Sequence, residues 1–157
     1  MPDASTFRAV LGRLASGVSV VTTVDADTRD CGMTVTAVCS LSLDPPLILV
    51  CVDHAATMYT QLSAASHFAV SVLALDQETV SRRFAESIND KFAGVEHARG
   101  VTGCALIAGA LAHLECAMWA QYEAGDHTIF AGHVLHAAVR DAQPLLYYRG
   151  GYCRLAP

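Results

Sequence analysis

The sequence predicts a mainly β domain, an antiparallel barrel with a few short helices inserted. Three observations predict it. Runs rich in β-branched residues recur along most of the chain, turn-forming residues separate them at close intervals, and helical periodicity appears in only a few places. Strands joined by short turns favour a barrel over a doubly wound sheet, in which each strand would alternate with a helix.

Phe7, Val10, Leu11 and Leu14 fall at helical spacing behind Ser5 or Thr6 as a cap, with Gly17 ending the helix. Val18 to Val24 then reads as a strand, closed by the polar turn Asp25 to Asp30, and a second strand runs from Met33 to Leu43. Neither Pro45 nor Pro46 can donate to a ladder, so Asp44-Pro45-Pro46 interrupts the run before a buried strand, Leu47 to Val52. Met58, Leu62 and Ala65 suggest a short helix ahead of the strand Phe68 to Leu73. Asp76 is placed to cap the next helix, with Val80, Phe84 and Ile88 along one face and fraying near Asn89-Asp90. Gly94 to Gly109 reads as an irregular excursion with one short strand. The last strands are Ala110 to Tyr122, His127 to Val139 and Pro144 to Arg149, with turns at Ala124-Gly125-Asp126, Arg140-Asp141 and Gly150-Gly151.

A length of 157 residues fits one domain over positions 1–157, large enough to bury a core without staples. Hydrophobic residues are 53% and charged residues 16% of the chain, more apolar material than one core hides, which points to a subunit interface and a homodimer. The net charge of -5, with no Lys/Arg cluster, argues against nucleic acid or an anionic membrane as partner and favours a small molecule. Met1 leads into a polar segment rather than a basic stretch and an apolar core, so a cytoplasmic protein is expected. The six cysteines include no CxxC pair and read as reduced, mostly structural thiols.

The sequence has no GxGxxG after a strand, no GxxxxGK[ST], no HExxH and no GxSxG. His133 and His136 would face opposite sides of a strand, which speaks against a metal site. What remains is the hydroxyl-rich run Met33-Thr34-Val35-Thr36-Ala37-Val38-Cys39-Ser40-Leu41-Ser42. Small hydroxyls and backbone amides suit a neutral heteroaromatic ring edged with carbonyls and ring nitrogens, such as a flavin; a strand with one solvated Ser/Thr face has the same composition.

Seven segments in register resemble the short-chain flavin reductase family, the reductase components of two-component flavin-dependent monooxygenases. They are Gly17-Val18-x-Val20-Val21-Thr22-Thr23, Gly32-Met33-Thr34, Ser40-Leu41-Ser42-Leu43-Asp44-Pro45-Pro46-Leu47, Phe68-Ala69-Val70-Ser71-Val72-Leu73, Asp90-Lys91-Phe92, Gly125-Asp126-His127-Thr128-Ile129-Phe130 and Tyr147-Tyr148-Arg149-Gly150-Gly151-Tyr152. The likeness runs from about Phe7 to Leu155. It implies a homodimeric split β-barrel with a Greek-key core and short flanking helices, holding FMN or FAD at the dimer interface. Thr34, Thr36, Ala37, Val38, Cys39, Ser40 and Leu41 would border the isoalloxazine edge, and Asp53, Ala56 and Thr57 the ribityl-phosphate arm. Lys91 and Phe92 would come from a helix end beside the flavin, with Lys91 answering a phosphate where no P-loop exists. A lysine at a helix C-terminus is also favoured by the helix dipole alone.

The resemblance further places His127 where NADH or NADPH approaches the flavin, as the candidate catalytic residue, with Tyr152 packing on the nicotinamide nucleotide. The implied activity is hydride transfer to the flavin and release of reduced flavin to a separate monooxygenase. Rival readings are a flavoprotein that keeps FMN and acts on its own substrate, and a non-enzymatic flavin-binding protein. Cys39, Ser71, His133 and the absence of proline before Leu106 depart from the family pattern.

Overall fold

The computed structural model describes residues 1–156. Its elements begin with α1 (Ala4–Leu11), β1 (Ser16–Gly17), β2 (Ser19–Val24), β3 (Asp30–Val35), β4 (Val38–Leu43), β5 (Pro46–Asp53), α2 (Thr57–Ala64) and β6 (His67–Val72). A 3-10 turn over Leu75–Gln77 leads into α3 (Glu78–Ala85). There follow β7 (His97–Arg99), β8 (Ala105–Ile107), β9 (Ala112–Ala124), β10 (His127–Val139), β11 (Leu146–Tyr148) and β12 (Gly151–Cys153).

Seven strands form one sheet in the order β3-β2-β6-β9-β10-β5-β4, antiparallel at every neighbouring pair. β3 and β4 are its two edges, yet only Thr36 and Ala37 separate them in the chain. Three residue steps span at most about 10 Å, so the edges meet at this point and the sheet must curl. No ladder joins them. The result is a barrel split along the β3–β4 seam, as expected, flanked by the sheet β1-β11-β12 and the hairpin β7-β8.

Alternation along β2 divides the interior in two. Val21 points into the barrel with Val50, Phe68, Phe130 and Leu62 of α2. Val18 and Val20 face outward onto Leu73, Phe84, Ile107 and Leu145, a second core that α3 covers. Buried hydroxyls hold β8 over this outer face: Thr22 Oγ1 donates to the Ala105 carbonyl at 2.7 Å, and the Ile107 N–H donates to Ser71 Oγ at 3.1 Å. Ser71, named above as a departure from the resembled pattern, therefore has a structural partner. Burial pushes the Cys116 thiol up to about 12, so it acts as a small apolar group.

Several boundaries differ from the sequence expectation. Asp3, rather than Ser5 or Thr6, caps α1: its Oδ1 accepts the Ser5 hydroxyl at 2.7 Å and the Thr6 N–H at 2.8 Å, which brings the carboxyl to about 2. Gly12, not Gly17, closes that helix. The expected strand Met33 to Leu43 is two strands, because the chain crosses the seam at Thr36-Ala37. Asp76 lies inside the 3-10 turn, and the turn is capped by Gln77, whose Oε1 accepts the Ala74 N–H at 3.0 Å. α3 stops at Ala85, short of Ile88. The 94–109 excursion holds two short strands instead of one, and β12 adds a strand to β11.

Candidate functional site

A groove of about 690 Å³ runs between β3, the start of α2 and the segment that leaves α3. It brings together five residues singled out from the sequence: Thr34, Ala56, Thr57, Lys91 and Phe92. Its outer wall is built by aromatic packing. Phe84 of α3 meets Phe92 edge-on at 4.9 Å, and Phe92 meets His97 at 5.2 Å. Gly32 lets β3 come close enough, since a Cβ there would sit 2.7 Å from Phe84 Cε1 and 3.3 Å from Phe92 Cζ. The Gly32-Met33-Thr34 segment thus owes its glycine to packing, and the Thr34 hydroxyl donates to the Ser81 carbonyl of α3 at 2.6 Å.

The positive features of the groove converge. Lys91 Nζ donates to the Phe84 carbonyl at 2.9 Å, so it also answers the C-terminal end of α3, and burial lowers its pKa from the ordinary lysine value. One donated bond leaves two ammonium protons free. Along the same groove, α2 begins at Thr57 with no side chain bonded at its N-cap residue Ala56. The Tyr59 N–H donates to the Ala56 carbonyl at 2.9 Å, which leaves the Thr57 and Met58 N–H groups and the helix dipole to meet an anion. Gln61 also lines the groove, and its buried Oε1 accepts no hydrogen bond from the protein. The remaining charges on the lining are acidic: Asp30, Glu86 and Asp90. Asp30 is gripped by Arg99 through two bonds, at 2.9 and 2.8 Å.

Other expected residues lie around the groove rather than on it. Asp53, at the end of β5, accepts the Ala55 N–H at 2.8 Å and so shapes the turn into α2. His127 opens β10 directly opposite Asp53, and its Nδ1 lies 2.7 Å from Asp126 Oδ1, which lowers the Asp126 pKa. Thr36, Ala37, Cys39, Ser40 and Leu41 are exposed and Val38 half-buried along the β4 edge, with a bulge between Ser40 and Ser42. Tyr152 stands behind α3: its hydroxyl is 2.8 Å from Ser81 Oγ, Arg82 lies 4.8 Å over its ring, and Tyr147 packs on it edge-on.

Two residues escaped the sequence reading. His54 bonds Thr128 Oγ1 at 3.0 Å and packs on Tyr59 at 4.7 Å, bracing the turn between Asp53 and α2. Its position directly after Asp53 was the available signal. Gln61 carried none, since polar residues are ordinary on a helix flank. His133 packs on Trp119 and His136 approaches Glu115 at 3.5 Å; among the described residues no group of three possible metal ligands occurs.

An uncapped helix start, a lysine, an orphan acceptor and an aromatic wall suit a phosphate-bearing ligand with a flat ring, such as a flavin or nucleotide, on a split barrel. The comparisons agree with that class. The family model described as "Flavin reductase like domain" matches residues 11–156, and this chain belongs to that family. It is 40% identical to the stachydrine N-demethylase reductase subunit Stc3 of Rhizobium meliloti over 96% of its own length, but spans only 65% of that subunit. It is 44% identical to an NADH-dependent FAD reductase of Streptomyces globisporus, covering 99% of this chain and 87% of the relative. A structure of the S. globisporus NADH:FAD oxidoreductase with NAD and FAD fragments superposes with a TM-score of 0.94 at 43% identity, covering 99% and 94% of the two chains. BorF, the flavin reductase component of a bacterial two-component tryptophan halogenase, gives 0.90 at 42% identity over 99% of each chain.

Proposed function

We propose that this chain is an NAD(P)H:flavin oxidoreductase that supplies reduced FMN or FAD to a separate flavin-dependent monooxygenase. The observation that carries the reading is the convergence of Lys91 and the open α2 N-terminus on one groove, in a chain of this family. When bound, the flavin supplies the hydride acceptor for the nicotinamide. The protein binds and aligns. Lys91, Ala56 and Thr57 hold the phosphate arm, Asp53 shapes the turn that presents them, Phe92 backs the ring, and Gln61 accepts an N–H. The β4 edge from Thr36 to Leu41 has unpaired backbone groups to border the ring, with Thr34 at the seam. His127 positions the nicotinamide nucleotide from the Asp53 end, and Tyr152 reaches it if Arg82 swings off its ring. The Streptomyces globisporus relative named as an NADH-dependent FAD reductase supports NADH as the donor.

The chain acts as one domain, as a homodimer and in the cytoplasm. Leu41 and Leu43 on the β4 edge, with Trp119 and Leu135 on β9 and β10, are exposed. An exposed apolar edge strand calls for cover, and a second copy supplies it. All six cysteines are free thiols, as a reducing compartment requires. No helix of the described residues is long and apolar enough to cross a membrane.

The test is steady-state oxidation of NADH and NADPH by the purified protein, with and without FMN, FAD or riboflavin. Activity that depends on added flavin is expected, with NADH preferred; no rate with any pair would end the reading, and full activity without added flavin would favour a resident-flavin enzyme. His127→Ala is expected to raise the KM for NADH about tenfold while changing flavin affinity little. An unchanged NADH dependence removes His127 from the site.

A further inference from the structure

The segment that carries Lys91 has no regular secondary structure between the end of α3 and β7. Something must hold it, and the structure shows what does. Arg83, in the last turn of α3, donates Nε–H to the Lys91 carbonyl at 2.7 Å and Nη2–H to the Asp90 carbonyl at 2.7 Å. One planar fork therefore fixes two successive peptide units. Lys91 closes the latch in return, donating from Nζ to the Phe84 carbonyl at 2.9 Å. Asp90 adds a local brace by accepting the Ala93 N–H at 3.0 Å. Arg83 does not line the groove. It lines a separate cavity of about 390 Å³, together with Thr79, Glu96 and Gly109, on the other side of α3.

We propose that Arg83 is a positioning residue for flavin phosphate binding: its fork on the Asp90 and Lys91 carbonyls presets the Lys91 ammonium at the groove without touching the ligand. This rests on the reading of Lys91 as the phosphate partner. A guanidinium that only stabilised the fold would not discriminate between ligands. One that acts through Lys91 affects a phosphorylated flavin and spares riboflavin, which has the ring and ribityl chain but no phosphate. The arrangement also explains why lysine would be a poor substitute at position 83, because a single ammonium on a flexible stem cannot span two carbonyls in a fixed plane.

The experiment is a double-mutant cycle on Arg83→Ala and Lys91→Met, read as Kd for FMN and for riboflavin by flavin fluorescence. Arg83→Ala is expected to weaken FMN about tenfold, the scale of losing charge-assisted bonds, with riboflavin affinity within about twofold of wild type. Lys91→Met weakens FMN similarly, and the double variant is no weaker than Lys91→Met alone. Arg83→Lys binds FMN like Arg83→Ala, and methylguanidinium, admitted through the neighbouring cavity, restores part of the Arg83→Ala loss. If Arg83→Ala fails to fold, the cycle is run with Arg83→Lys. Equal loss of FMN and riboflavin, or additive losses in the double variant, overturns the proposal while leaving Lys91 in its role. FMN binding unchanged in Lys91→Met overturns both.

Discussion

The two halves of the candidate site are built in opposite ways. The wall formed by α3 and residues 86–92 is completed within the chain: Phe84 is buried, Phe92 packs on it, Gly32 makes room for both, and Lys91 is tied to the helix end. The β4 edge, from Thr36 to Leu41, is largely exposed, bulged and unpaired on its outer side. The difference shows where the protein has preorganised its contacts and where it waits for another surface. On the proposed function, the rigid donors serve the charged arm of the ligand and the open edge takes a ring or a second copy.

The largest test of this contrast compares truncations on the two sides. Phe84→Ala is expected to destabilise the fold by about 3–5 kcal/mol, the usual cost of emptying a buried phenylalanine site, and to abolish flavin binding. Leu41→Ala on the open edge should stay within about 0.5 kcal/mol when unfolding is followed by denaturant on the monomer, yet weaken self-association. Equal costs at the two positions would erase the distinction.

A smaller effect concerns charge. Because burial lowers the Lys91 pKa below its ordinary value, its ammonium is lost as pH rises through that lowered value. FMN affinity should therefore begin to fall before the ordinary lysine range is reached. Lys91→Met should bind FMN more weakly and show no such fall, and riboflavin titrations should be flat for both proteins. A fall that persists in Lys91→Met would assign it to another group.

The sequence made the inner elements legible and the seam illegible, for physical reasons. β2 is a β-branched run buried along nearly its whole length and β10 is a 13-residue run buried in its first half, and both stand close to where the sequence puts them. The break between β3 and β4 left no mark, because Thr36 and Ala37 are neither glycine nor proline and the chain simply crosses from one edge to the other. β7 and β8 span three residues each among glycines, too short for a period to show. Within the site, the family resemblance points to Lys91, and the structure puts it on the groove lining. The fork from Arg83 stayed hidden because its acceptors are backbone carbonyls, which every residue has. Tyr152 illustrates the converse: an aromatic side chain in the expected motif, whose ring is already covered by Arg82 and Tyr147.

The bond between Ser81 and Tyr152 joins positions 71 residues apart in the chain. During synthesis, α3 emerges well before β12, so this buttress waits for β12. Non-local contacts of this kind form late, since their loop must close before they give any return. The β5–β10 pairing that closes the barrel is no more local, running from His127 opposite Asp53 to His133 opposite Leu47, so barrel closure and the buttress behind α3 both wait for the C-terminal part of the chain to emerge.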